Sequence, residues 1–255
     1  MTADSPAPSD SRAVGVDVGG TFTDFVVVTD DGLQVHKEPT SAPQHEAVVD
    51  GLERLDAAAG APVVHGTTTA TNALLERRGA RTALVTTEGF ADVLAIGRQN
   101  RPDLYDLQPS RPPPLVPAER RYEVPERLDS EGTVLTPLDE DAVRRVAEAL
   151  AGADVESVAV VFLFSYQTPA HEKRAAELLR EALPGVPVTR SSALLPEYRE
   201  YERTATTVVN AYVRPQVARY LDRLDEALAG RSVRVMQSNG GTIGLDTAAE
   251  EAARL

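Results

Sequence analysis

Apolar and polar positions alternate with a period of two at the start of this chain. Val14, Val16 and Val18 share one face of a predicted strand, and Phe22 to Val28 forms a second β-rich run. Gly19-Gly20 between them is a two-residue signal for a tight antiparallel turn. Leu33 to Glu38 extends the meander as a third strand. The period then lengthens. Pro43 to Ala59 reads as a helix, with Val48, Val49, Leu52 and Leu55 apolar, Pro43 near its first turn and Gly60 as its stop. Val63-Val64 is a short strand, Thr68 to Arg78 a compact helix closed by Gly79, and Arg81 to Thr87 a buried strand.

The pattern dissolves between Gly97 and Pro125, where polar residues and the Pro112-Pro113-Pro114 run predict a long loop or a connection between subdomains. It resumes as a helix over Leu138 to Ala151, a buried strand over Ser157 to Phe164, a helix over Pro169 to Leu183 and a short strand over Pro187 to Arg190. Glu197 to Ala229 is one long helical pattern that Pro215 should kink or divide. Ser232 to Met236 is a last strand, running into the loop Gln237 to Gly241, and Thr247 to Leu255 begins a helix. Alternating strand and helix predicts an α/β fold.

A hydrophobic content of 42% and a charged content of 25% are those of a soluble globular protein of 255 residues, enough for one large or two modest domains. The net charge of -13 argues against a nonspecific nucleic-acid surface. With no cysteine, disulfides, cysteine-based zinc sites and thiol nucleophiles are excluded. Residues 1–12 read as a polar, disordered leader. No apolar run of signal-peptide or membrane length is present, so a cytoplasmic location is expected.

Candidate chemistry begins at V-D-V-G-G-T-F-T-D-F, Val16 to Phe25. Backbone at Gly19 and Gly20 can approach a ligand closely, and Thr21 and Thr23 add hydroxyl donors. Asp17 and Asp24 cannot bind phosphate without repulsion, but they can hold Mg²⁺ or its water shell. The alternative is an ordinary hairpin whose threonines suit a strand. Neither a P-loop nor a dinucleotide-binding glycine fingerprint occurs. His65 to Asn72, H-G-T-T-T-A-T-N, is the second dense segment: it is either a ligand-facing turn or a threonine-capped helix start. The charged and phenolic run Glu197 to Arg203 reads on its own as a solvated helix with ion pairs. The four histidines show no metal-ligand spacing.

Five segments in order resemble the hydantoinase A/5-oxoprolinase family, which includes ATP-handling subunits of acetone and acetophenone carboxylases. They are Gly15 to Phe25, His65 to Ala80, Glu88 to Leu107 (E-G-F-A-D-V-L-A-I-G-R-Q-N-R-P-D-L-Y-D-L), Pro196 to Val213 (P-E-Y-R-E-Y-E-R-T-A-T-T-V-V-N-A-Y-V) and M-Q-S-N-G-G, Met236 to Gly241. The resemblance implies an actin/Hsp70/sugar-kinase-like ATPase fold. It implies an N-terminal α/β domain over 13–190 and the beginning of an ATPase core domain over 191–255. Family members continue into a second phosphate hairpin, which is missing here, so the expectation is the N-terminal portion of a longer A subunit.

The activity implied is ATP-dependent hydrolysis of a cyclic amide, with ATP and Mg²⁺ as cofactors and a B-type subunit as partner; a homo-oligomer is also compatible. An ATP-using carboxylase subunit and a non-catalytic domain are the alternatives. The resemblance assigns Asp17 (also the metal ligand), Thr67, Thr68 and Asn72 to catalysis. Gly19, Gly20, Thr21, Thr23, Asp24, Asn239, Gly240 and Gly241 fall to the nucleotide, and Gly66, Arg98, Gln99, Glu197, Arg199 and Glu202 to substrate. Oxoprolinase-type members tend to carry Asp-Arg-Gly-Gly at the first loop. Asp17-Val18-Gly19-Gly20 leans toward the hydantoinase or carboxylase branch.

Overall fold

A computed structural model describes residues 12–40, 43–55, 57, 60–100, 105–108 and 111–255. Apart from Arg12, the leader expected over 1–12 lies outside the described residues, as do parts of the expected first helix (56, 58 and 59) and of the loop (101–104, 109 and 110).

In chain order the elements are β1 (Ala13–Val18), β2 (Phe22–Thr29), β3 (Gly32–Pro39), α1 (Gln44–Arg54), β4 (Val63–Thr67), α2 (Thr69–Leu75), β5 (Thr82–Thr87) and α3 (Val93–Ile96). There follow β6 (Arg121–Val124), β7 (Arg127–Leu128), β8 (Val134–Thr136), α4 (Glu140–Ala151), β9 (Ser157–Val161) and α5 (Ala170–Ala182). The last are β10 (Val188–Arg190), α6 (Ser191–Leu194), α7 (Glu200–Ala227), β11 (Val233–Met236), β12 (Thr242–Gly244) and α8 (Leu245–Glu250). The fold is mixed α/β with parallel strands in both main sheets. Two compact units divide the chain, one of 1–76 with 216–255 and one of 77–215. The boundary at 190/191 expected from the sequence falls inside the second.

The first unit holds a six-stranded sheet in the order β12-β11-β4-β1-β2-β3. The β1-β2-β3 meander is antiparallel, whereas β4 pairs parallel to β1 and β11 parallel to β4. Val14, Val16, Val18, Phe25 and Val27 turn inward and are buried, as the period-two pattern requires. Helix α1 buries Val48 and Leu52. A Cβ at Gly51 would meet the Phe25 ring at 2.1 Å, so the glycine lets α1 sit directly on β2.

The second unit holds a parallel sheet in the order β10-β9-β5-β6. Every residue of β5 and β9 is buried, as in parallel strands covered on both faces, including the polar Thr82, Thr86, Thr87 and Ser157. On one face α4 and α5 supply Val143, Val146, Leu150, Ala175 and Leu179 to the core. On the other, Leu84, Ala159 and Val161 pack with Val208 and Ala211 of α7.

Several boundaries differ from expectation. The buried strand stops at Val161, where the Phe162 amide turns to the Glu172 carboxylate and Phe164 adopts φ 55°. Helix α2 ends at Leu75, and Arg77, not Gly79, takes the left-handed conformation after it (φ 54°). Gly79 instead permits close packing, since a Cβ there would lie 2.3 Å from the Tyr212 ring. Helix α7 begins at Glu200, three residues later than expected, with the Arg199 carbonyl accepting its first hydrogen bond from the Arg203 amide at 3.0 Å. It then runs unbroken through Pro215, with Val213 and Val217 buried on either side. Strand β6 and the hairpin partner β12 had no clear period-two signal.

Candidate functional site

Strands β1, β4 and β11 are parallel and in register, with Val18 opposite Thr67 and His65 opposite Val235. The β1–β2 hairpin, the β4–α2 turn and the β11–β12 loop therefore leave the same, carboxyl, edge of the sheet. Ligands of open α/β sheets bind at such an edge.

The hairpin closes one residue later than the sequence suggested. Gly19 donates its N–H to the Phe22 carbonyl at 3.0 Å, leaving Gly20 and Thr21 at the tip. Neither Gly19 nor Gly20 lies in the left-handed region. A Cβ at Gly19 would come 3.1 Å from the Phe22 carbonyl oxygen, so close approach accounts for the glycine. Thr21 is exposed, whereas Thr23 is fully buried. The Thr23 hydroxyl is 3.0 Å from that of Thr40, which donates to the Gly19 carbonyl at 3.0 Å. Thr23 thus supports the hairpin from beneath. Its partner Thr40 carried no sequence signal.

Asp17, Asp24 and Lys37 form one cross-strand row, Asp17 opposite Asp24 and Asp24 opposite Lys37. Two facing carboxylates repel. Lys37 relieves this for Asp24 by an ion pair at 2.7 Å. Asp17 is exposed and has no hydrogen bond or ion pair among the described residues. On its other side stands Gly66, where a Cβ would come 2.9 Å from Asp17 Oδ1.

The threonines of the β4–α2 turn are bonded largely to one another. Thr67 Oγ1 lies 2.8 Å from Thr69 Oγ1 and accepts from the Thr69 amide, and Thr69 donates to Gln44 Oε1 at 3.3 Å. Asn72 Nδ2 donates to Thr68 Oγ1 at 3.2 Å, and Thr68 reaches the Val18 carbonyl at 3.4 Å. Beneath them, His65 is wholly buried, and burial lowers its pKa to about 4. Its Nε2 is 2.8 Å from the Tyr220 hydroxyl, while its Nδ1 has no partner among the described residues. Burial also raises the Tyr220 pKa, against a smaller opposing hydrogen bond from Thr67. In the third loop Asn239 Oδ1 accepts from the Gly241 amide at 2.8 Å, and Gly240 takes φ 88°.

The remaining candidates belong to the second unit. Arg98 Nε donates to Glu202 Oε1 at 2.7 Å and holds that carboxyl below its usual range. Arg98 also faces the Tyr201 ring, 5.8 Å from its centroid, and lines a cavity of 540 Å³ with Tyr201, Arg111 and Val208. Gln99 is exposed in the left-handed region, at φ 59°. Glu197 and Arg199 are exposed on the segment before α7 and do not share a helical face with Glu202. Arg203, expected from the sequence only as part of a solvated charged run, is buried; it donates to Ser165 Oγ at 2.7 Å and to the Phe162 carbonyl at 2.8 Å.

Among the described residues no group of three or more metal-ligating side chains occurs, and no helix is long and apolar enough to cross a membrane.

The sequence model of the hydantoinase/oxoprolinase N-terminal region matches residues 13–183, and that of hydantoinase/oxoprolinase matches residues 203–255. Caprolactamase subunit alpha of Pseudomonas jessenii is 37% identical over 246 residues, covering 89% of this chain and 35% of that protein. 5-Oxoprolinase 1 of Arabidopsis thaliana is 35% identical over 268 residues, covering 89% of this chain and 21% of that protein. The nucleotide-free structure of acetone carboxylase superposes with a TM-score of 0.85 at 29% identity, over 96% of this chain and 38% of that one. A crystal structure of the ATP-dependent caprolactamase from Pseudomonas jessenii gives 0.77 at 35% identity, over 90% and 36%. The chain spans well under two thirds of the length of each of these relatives. It belongs to the hydantoinase/oxoprolinase family.

Proposed function

We propose that this chain carries the nucleotide-facing part of an ATP-dependent enzyme that activates a cyclic amide for hydrolysis. The observation that carries the reading is the free carboxylate of Asp17, set between a glycine hairpin and a threonine turn on one sheet edge. The strand order β3-β2-β1-β4-β11, with only β2 reversed, supports an actin/Hsp70/sugar-kinase-like ATPase fold. So does the naming of relatives as ATP-dependent.

The residues fit Mg²⁺ as nucleotides carry it. That ion takes one or two carboxylates and completes its shell with water and phosphate oxygens. Asp17 offers one uncommitted carboxylate, and Gly66 leaves space beside it. When bound, ATP supplies a phosphoryl group, and an amide oxygen that receives it loses amide resonance. The chain's own part is positioning and charge neutralisation. Gly19 and Gly20 bring backbone to the phosphates and Thr21 adds a hydroxyl, while Thr23 and Thr40 hold the hairpin. Thr67, Thr68 and Asn72 border the reacting centre, and the Asn239-Gly240-Gly241 loop closes the third side. Substrate contact is assigned to Arg98, Gln99, Glu197, Arg199 and Glu202 of the second unit by family resemblance alone, and a B-type subunit completes the enzyme in the cytoplasm. Superposition with acetone carboxylase favours a second reading, an ATP-using carboxylase subunit.

Thermal unfolding with and without millimolar Mg-ATP tests the proposal. Binding to the native state alone must raise Tm by mass action. A rise that disappears in Asp17→Ala supports the reading, whereas equal rises in both proteins remove Asp17 from it. ADP release with hydantoins, 5-oxoproline or acetone plus bicarbonate then separates hydrolase from carboxylase.

A further inference from the structure

A cavity of 220 Å³ opens in the first unit between the start of α1 and the middle of α7. Arg219 and Arg223, one turn apart on α7, line it together with His45, Gln216, Thr69 and Tyr220. No carboxylate of the described residues lines it. That is notable in a chain with 39 acidic and 26 basic residues. Neither arginine makes a hydrogen bond or ion pair among the described residues, although guanidinium groups seek carboxylate or phosphate partners.

We propose that this cavity is a binding site for a small oxyanion, a phosphate or a carboxylate group, held between Arg219 and Arg223. The two guanidinium forks supply paired donors to an oxyanion. The Gln216 amide and the His45 ring supply further donors, and the Thr69 and Tyr220 hydroxyls, each already hydrogen-bonded within the protein, border the site. The site communicates with the sheet edge through hydroxyls. Thr69 is bonded to Thr67 at 2.8 Å, and Thr67 bonds to the Tyr220 phenol. An ion on Thr69 and Tyr220 therefore competes for the hydrogen bonds that set the β4–α2 turn.

The proposal does not depend on the nucleotide reading. Titration calorimetry of the chain at low salt, with inorganic phosphate in one arm and succinate in the other, tests it directly. We expect saturable binding of at least one. It should weaken by roughly tenfold or more in Arg219→Gln/Arg223→Gln, as for lost charge-assisted hydrogen bonds, and persist in Asp17→Ala. An unchanged far-UV spectrum and Tm of the double variant in ligand-free buffer shows that it folds. The stronger arm identifies the ligand class. No binding in either arm, or equal binding by the double variant, overturns the proposal. Loss of binding in Asp17→Ala places the ion at the hairpin and also overturns it. Failure of Mg-ATP to stabilise the chain would sink the nucleotide reading and leave this one standing.

Discussion

His65 and Tyr220, separated by 155 positions in sequence, share a hydrogen bond of 2.8 Å inside the first unit. Their rings also meet, with centroids 5.6 Å apart. The pair ties β4, at the base of the threonine turn, to the C-terminal half of α7.

Burial makes this histidine a source of pH dependence. Its folded pKa of about 4 lies below the ordinary value of 6.5. Between those two values the unfolded chain binds a proton that the native one does not, so stability falls as pH drops from 6.5 toward 4. The full loss is on the order of 3 kcal/mol, at about 1.4 kcal/mol per pKa unit. The half-buried carboxyls held low, among them Asp129, Glu140 and Glu202, add to the decline only near and below their own ordinary range. Urea unfolding at pH 7, 6 and 5 checks this. In His65→Gln the slope over that interval should flatten; an unchanged slope would assign it elsewhere.

Tyr220→Phe keeps the ring and removes the hydroxyl. His65 then loses its Nε2 partner in addition to the one its Nδ1 already lacks. An unpaired buried polar group costs about 1–3 kcal/mol. Chemical unfolding at pH 7.5 should show that loss for Tyr220→Phe. A loss under about 0.5 kcal/mol, the scatter of ordinary surface substitutions, would mean that the hydroxyl contributes little.

The hairpin at Val18 to Thr23 was legible because two strong local signals agree there, period-two valines and adjacent glycines. The buried β5 and the amphipathic α4 were legible for the same reason. What supports the site was not. Thr40 and Tyr220 are ordinary in their own windows and gain meaning only from contacts far away in sequence. The run from Glu197 to Arg203 read as one helical segment, whereas α7 begins only at Glu200 and leaves Glu197 and Arg199 outside it. Gly79 resembled a helix cap and proved to be a point of close packing.

Glycine-to-alanine changes separate these two uses of glycine. Gly79→Ala drives a methyl group into the Tyr212 ring and carbonyl, at 2.3 and 2.6 Å. Overpacking of this kind costs about 1–3 kcal/mol and sometimes more. Gly66→Ala meets only the exposed Asp17 carboxylate, at 2.9 Å. It should change Tm little while weakening any Mg-ATP stabilisation as Asp17→Ala does. Thermal unfolding of both variants with and without nucleotide reads both effects. A large fall in Tm for Gly66→Ala without nucleotide would show that the strand itself does not tolerate the methyl group.

The second unit is pinned by a buried pair of opposite charges. Glu172, fully buried on α5, accepts from the Phe162 amide at 2.9 Å, from Ser165 Oγ at 2.8 Å, from Ser191 Oγ at 2.5 Å and from the Ser192 amide at 2.8 Å. Arg203 donates to the same Ser165 hydroxyl, so the two charges meet through one shared serine. Burial lowers the Arg203 pKa, and the Glu172 charge opposes the shift. Removing either partner leaves the other buried and uncompensated, at a cost of about 3–5 kcal/mol. Glu172→Gln and Arg203→Met should each destabilise by that order in urea unfolding. The double variant should lose less than the sum, because neither charge is then stranded. Additive losses would mean that the two charges do not sense one another, and that the serine and amide bonds alone hold the ends of β9, α5 and α7 together.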